Sequence, residues 1–236
     1  MKRVWITRAS PGAEATAGRV RALGWEPLIA PLLETRILPT TIDLTGVGAL
    51  AFTSATGARA FGRLSMARDL PVFAVGSASA AAAREAGFAA VRSADGDVKA
   101  LARFIGEHAG DFAGVVLHTA AAEPAGDLVG MLMATDVQAR VVAVYETIAA
   151  PVPADLWPRL SSIEAVLVHS PRAGRRLAEI LKDVAAPGLV AYCLSAEVLA
   201  SLGDSATGAK FAAPLPNEDA LLSLLRDHRS PSRKAT

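Results

Sequence analysis

Two stretches of the chain share one pattern, and this repeat constrains the fold more than any other feature of the sequence. The first copy is ALAFTSATGARAF, residues 49–61, and the second is AVLVHSPRAGRRL, residues 165–177. In each copy a short apolar run ends at a serine, Ser54 or Ser170, and helical spacing begins at once. This switch is typical of a buried strand that leads directly into a helix, with the serine as the N-cap. The repeat therefore predicts two parallel-sheet edges at which a ligand could bind.

The similarity between the two copies extends beyond these stretches. VWIT at 4–7 corresponds to VVLH at 115–118, and LLET at 32–35 corresponds to VYET at 144–147. The period of about 115 residues is on the scale of one ordinary domain. Predicted strands and helices alternate in both halves, which favours an α/β fold with parallel sheets covered by helices on both faces. The repeat leaves open whether the two units are consecutive or interleaved.

The composition is that of a globular protein, and it argues against several classes of partner. The net charge of the 236 residues is +1, which does not favour nucleic-acid binding. The single cysteine, Cys193, cannot form an internal disulfide or a multi-thiolate metal site, and this suits a reducing cytoplasm. The start MKRVWITRASPG is not predicted to be a signal peptide. The apolar stretch 184–202 is interrupted by Pro187, Gly188 and Glu197, so no membrane span is expected.

Motifs for dinucleotide, nucleotide-phosphate, zinc-protease and serine-hydrolase chemistry are absent from the sequence. The histidines His108, His118, His169 and His228 lack metal-ligand spacing, so we predict surface or packing roles for them. Cys193 lies in an apolar run, which favours a buried, inert thiol. Metal, covalent and dinucleotide chemistry are therefore not favoured.

Small and hydroxyl residues recur at the predicted strand ends, each close to the start of a helix. With one arginine among them, they are Thr7, Arg8, Ser54, Gly76, Ser77, Ser79, Thr119, Ser170 and Ser195. Helix N-termini offer free N–H groups and a positive dipole end, which suit carboxylates and phosphates. Taken singly, each serine is more simply explained as an ordinary N-cap. Taken together, the set indicates a large polyanionic ligand held mainly by backbone amides.

Tyr145, in the VYET strand, is one of only two tyrosines in the sequence. Its alternation with apolar neighbours is consistent with a packing role. Its hydroxyl group could equally serve as a general acid at a solvated edge of a site. Both interpretations stay open at the level of the residues alone.

In combination, these motifs resemble those of the uroporphyrinogen-III synthase family. The features that carry the resemblance are TR at 7–8, a strand ending at Pro31, FTS at 52–54, VGSAS at 75–79, VYET at 144–147 and HSP at 169–171. They occur in the family's order over nearly the whole chain.

The resemblance implies two flavodoxin-like domains with parallel sheets, joined by a two-stranded β-ladder. Domain 1 would be discontinuous, with residues 1–36 and 149–229, and domain 2 would comprise residues 40–143. Residues 32–38 and 143–148 would form the ladder. The tail, residues 230–236, has no apolar face and is predicted to be disordered.

The resemblance also implies a reaction, in which hydroxymethylbilane loses water and closes to uroporphyrinogen III with inversion of ring D. No metal or organic cofactor would be needed. Tyr145 would assist departure of the hydroxyl group, and Ser54, Ser79, Ser170 and Ser195 would contact substrate carboxylates. The implied partners are this linear tetrapyrrole polycarboxylate and, transiently, the deaminase that makes it. The protein would act as a cytoplasmic monomer without nucleic-acid or membrane partners.

The sequence departs from the family's pattern at three places. The turn at 193–196 reads CLSA where a Gly-Pro-Thr-Thr-like turn is usual, His169 replaces a threonine or serine, and His118-Thr119 stands where arginine-glycine is frequent. These changes leave open an alternative of another class, a non-catalytic bilobed paralogue that binds a tetrapyrrole or another polyanion. Binding without turnover would distinguish that alternative from the enzyme.

Overall fold

The structure is a computed structural model that describes residues 2–10, 12–184, 186–205 and 207–227. The strands in these ranges are β1 Arg3–Ile6, β2 Glu26–Ile29, β3 Leu33–Ile37, β4 Val47–Phe52, β5 Val72–Ala74, β6 Val91–Ser93, β7 Val115–Ala121, β8 Ala139–Ala149, β9 Ala165–Val168, β10 Ala186–Cys193 and β11 Thr207–Ala212. The helices are α1 Gly12–Ala22, α2 Ala55–Leu64, α3 Ser77–Glu85, α4 Val98–Glu107, α5 Leu128–Met133, α6 Leu156–Arg159, α7 Pro171–Ile180, α8 Ala196–Ala200 and α9 Glu218–Arg226. His228 and the tail 230–236 lie outside the described residues.

Contacts between residues divide the chain into two compact units. Unit 1 comprises Met1–Glu34 and Ile148–Thr236, and unit 2 comprises Thr35–Thr147. The two ends of the chain therefore build unit 1, while one continuous segment builds unit 2. The boundaries fall within β3 and β8, the strands that carry LLET and VYET.

The two sheets have the same strand order apart from one edge strand. In unit 1 the order is β11-β10-β9-β1-β2, and all of its pairs are parallel. The other sheet has the order β3-β8-β7-β4-β5-β6, with parallel pairing from β8 to β6. The two copies of the repeat, β4 and β9, occupy equivalent places, each beside the strand that the sequence also matched, β7 or β1. The predicted α/β fold with two parallel sheets is confirmed.

The edge strand β3 pairs with β8. The N–H of Leu38 donates to the carbonyl of Val144 at 3.0 Å, and the N–H of Ala150 donates to the carbonyl of Leu32 at 2.9 Å. Residue numbers rise on one strand as they fall on the other, so β3 and β8 run in opposite directions.

Apolar side chains cover both faces of each sheet, as expected for parallel strands buried between helices. On β1, Trp5 packs into the core on one face and Val4 and Ile6 into the core on the other. In unit 2, Phe73 and Phe52 belong to the cores on opposite faces. Within the part of the chain that the structure describes, no helix is both long and apolar enough to cross a bilayer.

Side-chain caps begin the helices where the sequence predicts them. Ser54, Ser170 and Ser195 each accept the backbone N–H of the third residue along the chain, and Asp97 and Asn217 do the same for α4 and α9. Each of these bonds satisfies one of the unpaired N–H groups of a first helical turn. The caps fix where each strand ends and each helix starts, and so they fix the positions of the side chains at the sheet edges.

Candidate functional site

The predicted site residues of unit 2 lie at the carboxyl ends of neighbouring parallel strands. Tyr145 is in β8, Thr119 is in β7, Ser54 follows β4 and Gly76 follows shortly after β5. The strands β8, β7, β4 and β5 are consecutive in the sheet, so these residues form one row along its carboxyl edge. Open α/β sheets bind their ligands at this edge.

The row contains a direct contact between Tyr145 and Ser54. The two hydroxyl oxygens, Tyr145 Oη and Ser54 Oγ, are 3.1 Å apart, which is hydrogen-bonding distance. Ser54 Oγ also accepts the N–H of Gly57 at 2.9 Å as the N-cap of α2. Both side chains are half-buried. The N-cap bond fixes Ser54, and Ser54 in turn holds the phenol of Tyr145 beside the positive end of α2.

Thr119 lies next to this contact and has an unused hydroxyl group. Its side chain is fully buried, and its Oγ1 has no hydrogen-bond partner among the described residues. A Cβ atom added to Gly57 would lie 2.9 Å from the carbonyl oxygen of Thr119 and 3.3 Å from Ser54 Oγ. Only glycine allows α2 to approach β7 this closely. Gly57 therefore keeps Ser54 and Thr119 together, although the sequence analysis did not single it out.

His118 packs behind the row as a neutral side chain. Its Nε2 lies 2.9 Å from the hydroxyl oxygen of Thr53, and only 2% of the residue is exposed. Burial lowers its pKa from 6.5 to about 4, because desolvation disfavours the imidazolium form. His118 also lines a cavity of about 440 Å³ together with Asp127 and Val141. Its arrangement matches the predicted packing role.

The burial of His118 predicts a pH dependence of stability. The folded protein keeps the imidazole neutral down to a pKa of about 4, whereas the unfolded chain binds a proton near 6.5. The free energy of unfolding should therefore fall by about 3 kcal/mol as the pH is lowered from 6.5 to 4. Denaturant titrations across this range measure the change. The part of the pH dependence that comes from His118 should disappear in H118Q, in which the amide replaces the imidazole. The control variant H108Q should retain it. An unchanged slope in H118Q would contradict the prediction.

The turn between β5 and α3 presents backbone N–H groups together with the exposed hydroxyl of Ser77. Gly76 is the N-cap of α3 and makes no side-chain cap hydrogen bond, unlike the serine caps. A Cβ atom at Gly76 would have no neighbour within 4 Å. Ser77 is exposed and Ser79 is 4% exposed. The first N–H groups of α3 therefore begin at an open surface, as the glycine and serines of this turn predict.

Unit 1 carries a second row of the predicted residues. Thr7 and Arg8 follow β1, Ser170 follows β9 and Ser195 follows β10. These three strands are neighbours in the sheet, so the residues share its carboxyl edge. Ser170 and Ser195 are half-buried N-caps of α7 and α8. They correspond in position to Ser54 and Gly76 of unit 2.

Two of the side chains discussed above, Thr7 and Cys193, are buried in the core of unit 1. Thr7 is 1% exposed, and its hydroxyl donates to the carbonyl of Leu167 at 2.7 Å, which ties the end of β1 to β9. Its hydroxyl proton is therefore already engaged. Cys193 is fully buried, and burial raises the pKa of its thiol to about 12. The predicted inert character of this cysteine follows from that burial.

One charged residue of this edge, Glu218 at the start of α9, could not be identified from the sequence alone. Its carboxylate pairs with Arg8 at 3.1 Å and His169 at 3.2 Å, and it accepts a hydrogen bond from Thr16 at 2.6 Å. Desolvation, the largest single influence, raises the pKa of Glu218, but the bonds from His169 and Thr16 and the charges of His169 and Arg8 together lower it to about 2. The only signal in the sequence was an acidic residue in a first helical turn, which is too common to indicate a site.

The described residues contain no group of three or more histidine, cysteine, aspartate or glutamate side chains that could hold a metal ion. The two rows offer hydroxyl groups, backbone N–H groups and the guanidinium of Arg8, with the carboxylate of Glu218 and the imidazole of His169 beside it. The hydroxyl, N–H and guanidinium groups can bind carboxylates, and the phenol of Tyr145 can donate a proton.

Comparisons with known proteins point to one family. The family model described as "Uroporphyrinogen-III synthase HemD" matches residues 14–223. Among solved structures, the chain is similar to uroporphyrinogen-III synthetase from Helicobacter pylori, with 16% identity, a TM-score of 0.68, and coverage of 97% of this chain and 100% of that chain. It is also similar to a mutant uroporphyrinogen III synthase from Thermus thermophilus, with 17% identity, a TM-score of 0.51, and coverage of 96% and 97%. A sequence search of curated proteins gives no match. At these identities the two structures establish the fold.

Proposed function

The chain belongs to the uroporphyrinogen-III synthase family, and on that premise we propose how its residues serve the family's reaction. The activity is that of a cyclising hydro-lyase: linear hydroxymethylbilane loses water and closes to uroporphyrinogen III with ring D inverted. The substrate is a small tetrapyrrole that carries acetate and propionate groups throughout. The protein must therefore bind many carboxylates and assist the loss of one hydroxyl group.

We propose that Tyr145 assists the departure of that hydroxyl group. The observation that supports this role is the 3.1 Å contact between Tyr145 Oη and Ser54 Oγ beside the N-terminus of α2. The pyrrole nitrogen supplies the electron pair that expels the hydroxyl group, and the phenol donates a proton to the leaving oxygen, so water departs. The positive end of α2 stabilises the negative charge that develops on the phenol oxygen.

We propose that the remaining strand-end residues hold the substrate's carboxylates. In unit 2 the candidates are Ser54, Thr119 and the α3 turn that contains Gly76, Ser77 and Ser79. In unit 1 they are Arg8, Ser170 and Ser195, with Thr7 fixing the end of β1. The turn at Gly76, which has no side-chain cap and lies at an open surface, supports this assignment in unit 2.

Orientation of the substrate would supply most of the catalysis. Once the hydroxyl group has left, the cation on the first ring can be attacked by either of two carbons of ring D. Attack by the unsubstituted carbon gives isomer I, the spontaneous product, and attack by the substituted carbon begins the inversion that gives isomer III. Carboxylate contacts that favour the second geometry would make the productive attack effectively intramolecular.

An isomer assay tests the proposed function. Porphobilinogen and a hydroxymethylbilane-forming deaminase generate the substrate, this protein is added, and the oxidised uroporphyrins are separated by chromatography. We expect the product to change from isomer I to isomer III. Isomer I alone, from protein that is folded by circular dichroism, would contradict the proposed function and favour the non-catalytic binding alternative.

We also propose that the protein acts as a cytoplasmic monomer and receives hydroxymethylbilane through transient contact with the deaminase. The support is chemical: the linear substrate closes spontaneously to the wrong isomer, so early capture improves the yield of isomer III. Light scattering would give the oligomeric state. Dilution of both enzymes at a fixed ratio would test the transfer, because direct transfer keeps the isomer ratio less sensitive to concentration.

A further inference from the structure

A carboxylate of the protein itself already occupies the basic edge of unit 1. Glu218 Oε2 accepts a hydrogen bond from Arg8 Nη1 at 3.1 Å and one from His169 Nε2 at 3.2 Å. Its other oxygen, Oε1, accepts a bond from the buried hydroxyl of Thr16 at 2.6 Å. The arrangement resembles the way in which a bound carboxylate would be held.

We propose that Glu218 is an internal competitor for the carboxylates of the substrate, and that it sets the affinity of unit 1 for polycarboxylates. This inference rests on the proposed role of Arg8 in substrate binding. In the free protein Glu218 engages Arg8 and His169, and a substrate carboxylate must share or replace those contacts. Glu218 thus acts through Arg8 and contributes no chemistry of its own.

The guanidinium of Arg8 is placed for such sharing. Its side chain is 38% exposed, against 22% for Glu218 and 10% for His169. A Cβ atom on Gly12 would lie 2.6 Å from the Cζ, Nε and Nη2 atoms of Arg8, so the guanidinium rests on bare backbone at the start of α1. Among the described residues, only Nη1 of this guanidinium makes a hydrogen bond. A planar guanidinium can bind a second carboxylate through its remaining N–H groups.

The carboxylate of Glu218, which competes with the substrate, is ionised at neutral pH. Glu218 is the first residue of α9, where the helix dipole favours an anion. The depressed pKa of its carboxyl group, about 2, keeps it ionised. The charges of Arg8 and Glu218 therefore cancel, and the edge attracts an incoming carboxylate less than an isolated arginine would.

The variant E218Q tests the proposal because glutamine keeps the size of the side chain and one acceptor oxygen but removes the charge. We expect E218Q to bind uroporphyrin III, a stable polycarboxylate related to the product, about tenfold more tightly than the wild type, which corresponds to about 1.4 kcal/mol. The KM for hydroxymethylbilane should fall in the same direction. Fluorescence titration at fixed ionic strength measures the first quantity, and the coupled assay measures the second.

Asp219 offers a matched control. It is the next residue of α9, is 88% exposed and pairs with Arg19 at the surface. D219N therefore changes the charge at the same helix end by one unit without touching Arg8, and we expect its affinity to stay within about twofold of the wild type. The gain from E218Q should also vanish when Arg8 is replaced, in R8Q/E218Q compared with R8Q.

The binding measurements on E218Q and R8Q/E218Q either support or overturn the proposed role of Glu218. Unchanged or weaker binding by E218Q, in protein whose thermal unfolding shows it to be folded, would overturn the proposal, and so would a gain that persists in the R8Q background. The isomer assay on the wild type tests the proposed function separately. Formation of isomer III together with unchanged affinity in E218Q would leave the function standing and remove only the competitor role.

Discussion

Tyr145→Phe should lower kcat about 100-fold and change KM less than about threefold. The phenol is expected to matter mainly as the hydroxyl group leaves, and loss of a group that acts only in the transition state reduces turnover rather than binding. General acids contribute typically 10²–10⁴-fold, and the pyrrole nitrogen already assists this departure, so we expect the lower end of that range. The isomer assay, run at saturating and limiting substrate, separates the two constants.

Tyr192→Phe is the matched control, because Tyr192 is the only other tyrosine of the sequence and lies buried in β10 of unit 1. It should keep kcat within about threefold of the wild type. Ser54→Ala gives a second comparison: it removes both the N-cap of α2 and the hydrogen-bond partner of Tyr145. Its kcat should fall less than that of Tyr145→Phe, since the phenol is still present. Unchanged turnover in Tyr145→Phe would remove its role as an acid.

The parts of the site that could be predicted from the sequence are those that depend on local chemistry. Ser54 and Ser170 were identified because a serine between an apolar run and a helical pattern is a cap wherever it occurs. The equivalence of β4 with β9 followed from the repeat. A parallel sheet then brings consecutive strand ends to one edge, so two rows of hydroxyl residues could be expected from the sequence alone.

The contacts that each site residue makes with distant parts of the chain could not be predicted from the sequence. They depend on which strands and helices become neighbours in the fold. Tyr145 and Ser54 are 91 residues apart, and Arg8 and Glu218 are 210 residues apart. Thr7 has the same hydroxyl group as Thr119, yet one is bonded to the carbonyl of Leu167 and the other has no partner among the described residues. The residue type determines which hydrogen bonds a side chain can make. The packing around the side chain determines whether those bonds are already made within the protein.

The largest effect on stability that we expect is at Phe52, the last residue of β4, because its side chain is packed on all sides. Its ring is fully buried, with centroids 5.9 Å from those of both Phe61 and Phe88, which are themselves 5.8 Å apart. Phe52→Ala should lower the free energy of unfolding by about 3–5 kcal/mol. The substitution removes a large apolar side chain and leaves a cavity that α2 and α3 cannot readily close. Denaturant titration measures the change directly, and the midpoint of thermal unfolding should fall by roughly 10 °C.

Comparison variants separate the cavity from a general effect of substitution in unit 2. Met66→Ala, at a position that is 90% exposed, should change the free energy of unfolding by less than about 0.5 kcal/mol. Phe52→Leu keeps most of the apolar volume and should cost about 1–2 kcal/mol. The same strand end carries the site, since the carbonyl of Phe52 accepts the N–H of Val75 at 3.0 Å and joins β4 to the segment that leads into Gly76. A loss below about 1 kcal/mol in Phe52→Ala would show that α2 and α3 can close over the cavity, and that the aromatic cluster does not fix the two turns that carry the site residues.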